Sequence, residues 1–574
     1  MIVRVLPDVS GFDKEFDYSV PPELAPRVEA GVMVRIELHG RRVDGWITRV
    51  DPPDAHPESR LLPILKIRGI GPGAEVITSA EIIAANFLGR RRSVLAAASP
   101  DTLVQALPSD RRHGNLPGGG PLSDLYAQGG GLIWCGLNQD PIEVLRAIAR
   151  FGPMLLVVPS VARARTFAAT MRGAGFSVAL LPEEWSQAAA GVDVVIGARA
   201  AAWAPVREPS SLVVWDEHDE ALKEERVPTW HVRDVLAVRA QQLGAALFQV
   251  SPIPSVDALQ WANGRIYRTI DDDSALWSRI VIADMNADDD PRKINHITTE
   301  LLDACRDTSK SVVCISNATG VAKSVACRQC STLARCENCN AVVAQIDEST
   351  LHCGSCGTDR PVVCASCGSG AFKNLRRGTS RLRTELERAS ARDVIELSGS
   401  QTDSISRGGS GFVVVGTEAS LHRVAKADVV AFLDIDSELD SGFYRANEIV
   451  VALISRALRM VGDRGKVIVQ TRNPGRDLLQ NLSTGNLKGV IESELAVRRA
   501  LNLPPFSVLA KISGTGASEF FDTLAAGSVP LGCDVNARKG LVRALDFRQL
   551  VDVIASVAVP RSGRVRIEVQ PARA

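Results

Sequence analysis

The stretch that decides the fold runs from residue 327 to residue 367 and reads CRQCSTLARCENCNAVVAQIDESTLHCGSCGTDRPVVCASC. It carries eight of the chain's 12 cysteines as four CxxC pairs: Cys327/Cys330, Cys336/Cys339, Cys353/Cys356 and Cys364/Cys367. A CxxC turn points two sulfurs at one tetrahedral ion, so four turns predict two complete structural zinc sites per chain. Redox dithiols or disulfides are the weaker alternative, because redox CxxC motifs occur singly and disulfide-dense chains are small and secreted.

Two pairings of the four turns are open. Sequential pairing joins the first pair to the second and the third to the fourth. Nested pairing makes an inner site from Cys336, Cys339, Cys353 and Cys356 and an outer site from Cys327, Cys330, Cys364 and Cys367. Nesting is favoured, because it brings the two ends of the stretch together, as a module inserted into a host domain requires. Each ion would replace a hydrophobic core that so short a segment cannot build.

Outward from this stretch, short apolar runs alternate with helical patterns. The runs GLIWCGL, PMLLVVPS, VDVVIGAR, SLVVWDE and AALFQVS fall within residues 129–280, and KSVVCIS, GFVVVGT, VVAFLDID and GKVIVQT fall within residues 281–485. Buried parallel strands that alternate with helices give such a pattern. The sequence therefore predicts two α/β lobes, with the cysteine-rich module inserted into the second lobe at residues 323–371.

The two ends of the chain read differently. Residues 1–105 begin with alternating runs such as VRVLPDV and MVRIEL, which predict a small β-rich domain. Residues 106–128 include PSDRRHGNLPGGGP, which has the composition of a linker. Residues 486–574 predict a C-terminal α+β domain. The fold class is therefore multidomain α/β.

Charge and hydropathy exclude some classes of protein. Lysine plus arginine and aspartate plus glutamate number 66 each, so a nucleic-acid surface has to be a local patch. The basic candidates are Arg90–Arg92, Arg111 and Arg112, and the set Lys373, Arg376, Arg377, Arg381 and Arg383. No run of 18 apolar residues predicts a membrane span. The four remaining cysteines lie in apolar surroundings and read as reduced residues of a cytoplasmic protein.

Further motifs carry a resemblance to a known family. They are FDYSVPPEL from Phe16, AGVMVRI from Ala30, VVIGARAAAWAPV from Val194, GFYRANE from Gly442 and AVRRALNLPPF from Ala496. Together with four CxxC pairs inside a second lobe, they make the chain resemble the primosomal protein N′ (PriA) family from end to end. Family members restart stalled replication forks and normally use ATP to move 3′ to 5′ on DNA.

The resemblance implies an architecture and a set of partners. The N-terminal domain would bind DNA 3′ ends, and the two lobes would be RecA-like, of the helicase type. The partners would be forked and single-stranded DNA, primosome proteins, the replicative helicase loading machinery and the single-strand DNA-binding protein, with no membrane partner and a cytoplasmic, nucleoid-associated location. The family's winged-helix domain is predicted to be absent, since the linker leaves too little room for it.

The chain departs from the family at the nucleotide site. The family's phosphate loop ends in Gly-Lys-Thr, but the equivalent stretch here, CGLNQDPIEVL, has Pro141 and Ile142 at the Lys and Thr positions. Proline removes an amide donor, and isoleucine offers no oxygen to a metal ion. Asp216-Glu217-His218-Asp219 would pass as a DExD box, yet aligning the preceding strand puts Trp215 at the metal-binding aspartate and Asp216 at the catalytic glutamate.

Two other family motifs are also altered. The coupling motif is reduced to Ser251-Pro252-Ile253-Pro254, and the last motif keeps Arg456 and Arg459 without their neighbouring glycines. Such a divergent member with degenerate helicase motifs is read as a fork-binding replication restart protein without helicase activity. The alternatives are an active ATP-dependent 3′–5′ helicase with an atypical nucleotide site, and a zinc-ribbon scaffold for protein interactions.

The DNA-binding candidates follow from the resemblance. In the family, the 3′ terminus of the leading strand enters a pocket of the first domain, and the matching positions are Phe16, Asp17, Gly40 and Lys66. The chemistry is suitable, because an aromatic ring can stack on the last base, a carboxylate can accept from a free 3′-hydroxyl and a lysine can lie near phosphate. Arg376 and Arg377 are the candidates for contact with the phosphate backbone.

Overall fold

The computed structural model describes most of the chain. The described residues are 1–57, 61–113, 120–269, 274–286, 297–316, 325–330, 332, 334–337, 343–347, 349–353, 358–374, 379–397, 411–527, 530–557 and 563–573. They form a β-rich first domain, two α/β lobes, a small cysteine-rich module and a C-terminal α+β domain. The multidomain α/β class that the sequence predicts is confirmed.

The first domain is a five-stranded antiparallel sheet followed by two helices. Its elements are β1 (Ile2–Pro7), β2 (Phe16–Ser19), β3 (Met33–Leu38), β4 (Arg41–Val50), β5 (Lys66–Gly69), α1 (Ala74–Asn86) and α2 (Arg91–Ala98). The strand order is β2-β1-β4-β3-β5. The amide of Ser19 donates to Leu62 at 3.0 Å and the amide of Ile64 donates to Ser19 at 3.0 Å, so the segment leading into β5 meets the opposite edge strand.

The first lobe is a seven-stranded parallel sheet. Its strands are β6 (Gly130–Trp134), β7 (Met154–Val157), β8 (Val178–Leu180), β9 (Val194–Gly197), β10 (Ser211–Trp215), β11 (Ala246–Ser251) and β12 (Ile266–Arg268), in the order β12-β6-β11-β10-β7-β9-β8. Its helices are α3 (Ser123–Ala127), α4 (Pro141–Ala149), α5 (Val161–Gly173), α6 (Trp185–Ala190), α7 (Val232–Leu243) and α8 (Val256–Ala262). The central strands are buried along their whole length, as strands covered on both faces must be.

The second lobe is a six-stranded parallel sheet. Its strands are β13 (Ile280–Asp284), β14 (Val312–Ile315), β20 (Val394–Leu397), β21 (Val413–Gly416), β22 (Val429–Phe432) and β23 (Lys466–Thr471), in the order β13-β23-β22-β14-β21-β20. Its helices are α9 (Ser274–Trp277), α10 (Thr299–Arg306), α11 (Thr379–Ser390), α12 (Asp436–Leu439), α13 (Ala446–Val461) and α14 (Asp477–Ser483). Leu276 and Trp277 of α9 pack in the hydrophobic core cluster of this lobe, and the boundary at residue 280 stays a prediction.

The cysteine-rich module is inserted between β14 and α11 of the second lobe. The short strands among its described residues are β15 (Val325–Cys327), β16 (Ala344–Gln345), β17 (Thr350–His352), β18 (Asp359–Pro361) and β19 (Phe372–Asn374). Pairing of β15 with β19 brings the two ends of the insertion together. Arg335 of the module pairs with Asp440 of the second lobe at 3.1 Å.

The C-terminal domain is a four-stranded antiparallel sheet with three helices. Its elements are α15 (Leu487–Ala500), β24 (Val508–Ser513), α16 (Ala517–Ala526), β25 (Asp534–Asn536), β26 (Leu541–Ala544), α17 (Phe547–Ala555) and β27 (Arg566–Val569), with the strand order β25-β26-β24-β27. The domain shares one hydrophobic core with α1 of the first domain and α7 of the first lobe. Among the described helices, none has the length and apolarity that crossing a bilayer requires.

The segment between the first domain and the first lobe contains little secondary structure among its described residues. Residues 99–113 and 120–122 contain no helix or strand, and α3 spans only five residues. Arg112 instead lies against Asp110 and Glu208 on the surface of the first lobe. In the described part of this segment there is accordingly no separate winged-helix domain.

Candidate functional site

Four cysteine thiols converge at the base of the module. The Sγ atoms of Cys327, Cys330, Cys364 and Cys367 all lie within 4.8 Å of one another. The Cys327 and Cys367 sulfurs are 3.4 Å apart, and the Cys330 and Cys364 sulfurs are 3.5 Å apart. Four sulfurs bound tetrahedrally to zinc at about 2.3 Å would be about 3.8 Å apart. These two sulfur pairs are within a few tenths of an ångström of that separation, and the chemistry of the four thiols fits a zinc ion.

The convergence follows from the backbone around each turn. The amide of Cys327 donates to the carbonyl of Thr332, and the amide of Cys364 donates to the carbonyl of Ser369, both at 2.9 Å. Each turn is thereby closed five residues on, with its two thiols on one side. Antiparallel pairing of β15 with β19 then sets the two turns face to face. The four members are the outer set of the nested arrangement.

The inner set is only partly within the described residues. Cys336 and Cys353 are buried in the small core of the module, together with Val325, Leu351 and Phe372. The amide of Cys353 donates to the carbonyl of Thr358 at 2.9 Å, which repeats the pattern of the two outer turns. Cys339 and Cys356 lie outside the described residues. No disulfide joins any of the described cysteines.

The stretch CGLNQDPIEVL leads into the start of α4 at Pro141. Asp140 caps α4, and its carboxylate accepts from the amide of Ile142 at 3.0 Å, while Pro141 is the first helical residue. Glu143 adds a second carboxylate to the first turn. The amide of Ile142 is therefore occupied, Pro141 has no amide hydrogen to donate, and the carboxylates of Asp140 and Glu143 lie at the start of the helix.

Residues before this helix turn towards the second lobe. Leu137 is buried in the hydrophobic core cluster of the second lobe, and the amide side chain of Asn138 donates to Asp463 at 2.5 Å. The amide of Gly136 donates to the hydroxyl of Thr269 at 3.1 Å. The loop thus fills space between the lobes and forms no open cradle.

Trp215 and Asp216 follow each other at the end of β10. Trp215 is fully buried and packs edge-to-face against Phe167, with ring centroids 5.3 Å apart. Asp216 has a positive φ of 53° and is bonded to Arg459, with Arg163 at 3.6 Å. Burial alone would raise the pKa of Asp216, but these two arginines outweigh it and hold this pKa below its ordinary value. Asp216 is thus a buried carboxylate already paired.

The next acidic residues of the box are engaged as well. Asp219 is bonded to Arg456, with His422 at 3.7 Å. Glu217, which is fully buried, accepts from Arg233 at 2.9 Å and from the amide of Ser255 at 2.8 Å. The carboxylates therefore serve the protein's own cations, as expected for charges removed from water.

Sequence reasoning left one pair at this site unassigned. The His218 ring nitrogen Nδ1 lies 2.6 Å from the hydroxyl of Ser251, which itself donates to the carbonyl of Ile253. The box and the reduced coupling motif are thus in direct contact. The motifs flagged both residues, but only the parallel pairing of β10 with β11 explains why they meet. Asp140 was also missed, although an aspartate followed by proline is a known helix-start signature.

The DNA-binding candidates of the first domain lie on the sheet. Phe16 packs partly on the domain core and stacks on Phe12, with ring centroids 5.7 Å apart. Asp17 is opposite Arg4 and accepts from its guanidinium at 2.8 and 3.2 Å. Arg4 is the first cause that lowers the pKa of Asp17, which keeps this carboxylate charged. An ionised carboxylate has lone pairs left to accept a further bond.

The other two candidates lie elsewhere on the same sheet. Lys66 begins β5 and is exposed, while Gly40 has a φ of +75° in the hairpin between β3 and β4. A Cβ atom at Gly40 would meet nothing within 4 Å, so the turn is open. The structure joins the edges carrying Phe16 and Lys66 through the Ser19–Pro63 bridge.

Most of the described basic candidates are engaged with carboxylates. Arg91 pairs with Glu15 at 2.7 Å, and Arg92 pairs with Asp8 at 2.7 Å, which ties α2 to the sheet. Arg381 and Arg383 pair along α11 with Glu385 and Glu387. Arg376 and Arg377 lie outside the described residues, and so does the side chain of Lys373.

Comparison with known proteins gives a family-model match for the first domain and sequence matches over most of the chain. Residues 4–100 match the family model of the PriA 3′ DNA-binding domain. The chain is 26% identical to the replication restart protein PriA of Thermotoga maritima over 463 residues, which cover 74% of this chain and 61% of that protein. It is 27% identical to the probable replication restart protein PriA of Mycobacterium leprae over 571 residues, which cover 88% and 86% of the two chains.

More distant likenesses add little. The chain is 24% identical to the Bacillus subtilis replication restart protein PriA over 403 residues, which cover 66% of this chain and 48% of that protein. Among solved structures, the E. coli DExH-box NTPase HrpB superposes with a TM-score of 0.33 and 12% identity, over 62% of this chain and 41% of that one, which supports no argument. The sequence matches, and not this superposition, lead to the conclusion that the chain is a relative of the replication restart protein PriA.

Proposed function

We propose that this chain is a replication restart protein that binds stalled forks without an ATP-driven motor. One observation carries the second half of the proposal: α4 begins with Asp140 and Pro141, its first turn holds Glu143, and no lysine or hydroxyl stands at the phosphate positions. Phosphoryl transfer depends on positive charge and a metal ion held around the phosphates. Trp215 at the metal position offers no oxygen ligand.

DNA binding is proposed to begin in the first domain. The match of residues 4–100 to a 3′ DNA-binding domain supports this proposal. Phe16 would stack on the terminal base, Asp17 would accept from the 3′-hydroxyl, and Lys66 would lie near phosphate, with the open Gly40 turn beside them. Arg4 would act as a positioning residue, since its two bonds hold the Asp17 carboxylate in place. Arg376 and Arg377 would add contacts to the phosphate backbone.

Zinc is proposed to be structural and to number two ions per chain. Cys327, Cys330, Cys364 and Cys367 would hold the outer ion, and Cys336, Cys339, Cys353 and Cys356 the inner ion. The repeated turn geometry at Cys353 supports the second site. When bound, the ions supply folding free energy to a module whose own core is small.

The proposed role at the fork is recruitment. A chain that recognises the fork and keeps the module in a fixed place could present surfaces to primosome proteins, to the replicative helicase loading machinery and to the single-strand DNA-binding protein. The names of the relatives support replication restart as the process, and they do not specify these contacts.

The test compares two synthetic forks, one with the leading-strand 3′ end at the junction and one with a gap there. We expect tighter binding to the first fork, unchanged by Mg-ATP, and no fork-stimulated phosphate release. Phosphate release on adding the fork would favour the alternative of an atypical helicase. Equal and weak binding to both forks, with no salt dependence, would favour the zinc-ribbon scaffold, since DNA binding that rests on phosphate contacts must weaken with salt.

A further inference from the structure

The cleft between the lobes, where family members would place a nucleotide, is crossed by two ion pairs. Asp216 and Asp219 belong to the first lobe, and they are bonded to Arg459 and Arg456 of the second lobe. We call these four residues the interlobe clasp. All four side chains are at most one-sixth exposed, so water screens the pairs weakly. The arginines that would contact a phosphate are therefore occupied by carboxylates of the same chain.

Charges around the clasp favour the paired state. Arg163 lies 3.6 Å from Asp216 on the first-lobe side, and His422 lies 3.7 Å from Asp219 on the second-lobe side. Burial, reinforced by Arg456, lowers the pKa of His422 to about 4, so this ring is neutral at pH 7. His218 is close to the same carboxylates, and burial lowers its pKa too. Three arginines then face two aspartates, and opening the cleft would break both pairs that cross it.

An apolar contact closes the cleft beside the clasp. Leu137 is buried in the core cluster of the second lobe, together with Ile253 of the reduced coupling motif. Trp134 packs partly against the same cluster, and its ring nitrogen donates to the carbonyl of Pro252 at 2.8 Å. Opening would return these apolar surfaces to water, which is unfavourable.

A second ionic network joins both lobes to the C-terminal domain. Glu448 of α13 accepts from the amide of Val256 in the first lobe at 2.8 Å and from Arg498 of α15 at 2.5 Å. Asp257 of the first lobe lies 3.4 Å from Arg445 of the second lobe and 3.8 Å from Arg498. Arg498 is fully buried. The contacts between the lobes are thus supported by a third body.

We propose that the cleft is a permanently closed interface, in which the interlobe clasp replaces the nucleotide and holds the two lobes in one arrangement. The clasp residues act as positioning residues, because they set the zinc module on the second lobe relative to the DNA-binding domain packed on the first. This inference rests on the part of the proposed function that excludes an ATP-driven motor, and it does not rest on fork binding.

The first experiment follows amide hydrogen exchange of the full chain with and without Mg-ATP. Peptides that cover residues 134–142 and 216–219 report on the cleft, and a peptide over β7 reports on the core of the first lobe. We expect strong protection of the cleft peptides without nucleotide and no change on adding millimolar Mg-ATP. Rapid exchange of these peptides, or a marked slowing by Mg-ATP, would overturn the proposal, because the cleft would then be open at rest.

The second experiment breaks the clasp. The double variant Arg456→Ala/Arg459→Ala should speed exchange of the cleft peptides by about tenfold or more, because two buried aspartates lose their partners. Arg381→Ala removes an exposed arginine of the same lobe and is the matched control, with no change expected at the cleft. The swap Asp219→Arg/Arg456→Asp should restore part of the protection that either single change removes.

The outcomes divide cleanly. Equal exchange in the clasp variant and in the control would overturn the clasp, since the pairs would then contribute nothing to closure. Should the alanine variant fail to fold, small-angle scattering of the unmodified chain without nucleotide decides: a radius of gyration that agrees with the closed structure supports closure, and a larger one contradicts it. If the unmodified chain did not bind forks, the proposed function would be wrong, but the proposal of the interlobe clasp would not be affected.

Discussion

At the residue scale, the residues at the proposed position of a lost phosphate site make a favourable helix start. An aspartate cap, a proline in the first position and a glutamate in the first turn each favour the N-terminus of a helix, by about 0.3–2 kcal/mol for the cap and the charge. Asp140, Pro141 and Glu143 supply all three. The local sequence at this position therefore stabilises a helix N-terminus, whereas an ATPase would use the same position to bind phosphate.

We predict that restoring the two consensus residues will not restore ATP turnover. The double change Pro141→Lys/Ile142→Thr returns a lysine and a hydroxyl, but Trp215 still offers no metal ligand and Arg459 is still paired with Asp216. Steady-state phosphate release by this double variant with a fork should stay at background. Calorimetry of the unmodified chain should detect no binding at millimolar Mg-ATP. Micromolar binding by the unmodified chain would contradict this.

Asp17 gives a second prediction at the residue scale. Asp17→Asn and Phe16→Ala should each weaken preference for the fork with a 3′ end at its junction, with Phe16→Ala costing about tenfold in affinity because stacking contributes roughly 1–3 kcal/mol per base. Asp44→Asn is the matched control, because Asp44 pairs with Arg35 on the same sheet in a similar two-bond geometry. Of the two asparagine variants, only Asp17→Asn should change the preference in the fork-binding titration. An equal loss in both asparagine variants would indicate a general weakening of the sheet.

At the scale of elements, local patterns predicted more than long-range pairs. The alternating and apolar runs indicated the sheets, and the CxxC spacing singled out the cysteines that converge in the outer set. The spacing left the pairing open, however, because antiparallel pairing of β15 with β19 is a property of the folded module. The Asp219–Arg456 bond joins positions 237 residues apart, and no local pattern encodes such a pair.

The module gives a prediction about metal content. Native mass spectrometry of reduced protein should find two zinc ions per chain, and Cys327→Ser and Cys336→Ser should each leave one. The ion lost should differ between the two variants, so that the double variant carries none, because the nested pairing puts Cys327 and Cys336 in different sites. Cys533→Ser, outside the module, should keep both ions. If the double variant retained one ion, the nested pairing would be wrong.

At the scale of the whole molecule, the C-terminal domain packs on the first lobe and is hydrogen-bonded to it. The Lys223 ammonium of the first lobe donates to the carbonyl of Val569 in β27 at 2.7 Å, and Thr229 exchanges bonds with the same residue. Arg573 reaches Glu220 of the first lobe and Glu418 of the second lobe, at 3.1 and 3.5 Å. One terminal segment thus contacts both lobes, and its docking should respond to the charge on Lys223.

The pH dependence of that docking is the last prediction. Burial lowers the pKa of Lys223 from 10.5 to about 7, against the opposing effects of Asp234 and Glu568. The folded chain therefore gives up this proton near pH 7, whereas the unfolded chain keeps it to about pH 10.4. Because the unfolded state binds the additional proton between these values, the free energy of unfolding contributed by Lys223 rises with pH in that window. Below pH 7 both states are protonated, and the contribution is constant at its least favourable value.

Hydrogen exchange of peptides over β27 should test this dependence, after correction for the intrinsic exchange rate. Between pH 7 and pH 9, the free energy of protection should grow by about 1–2 kcal/mol more in the unmodified chain than in Lys223→Met. Lys488→Met removes an exposed lysine and should leave the dependence unchanged. A difference between Lys223→Met and the unmodified chain that stays flat over this range would mean that Lys223 keeps its proton when it is folded, held by Asp234 and Glu568.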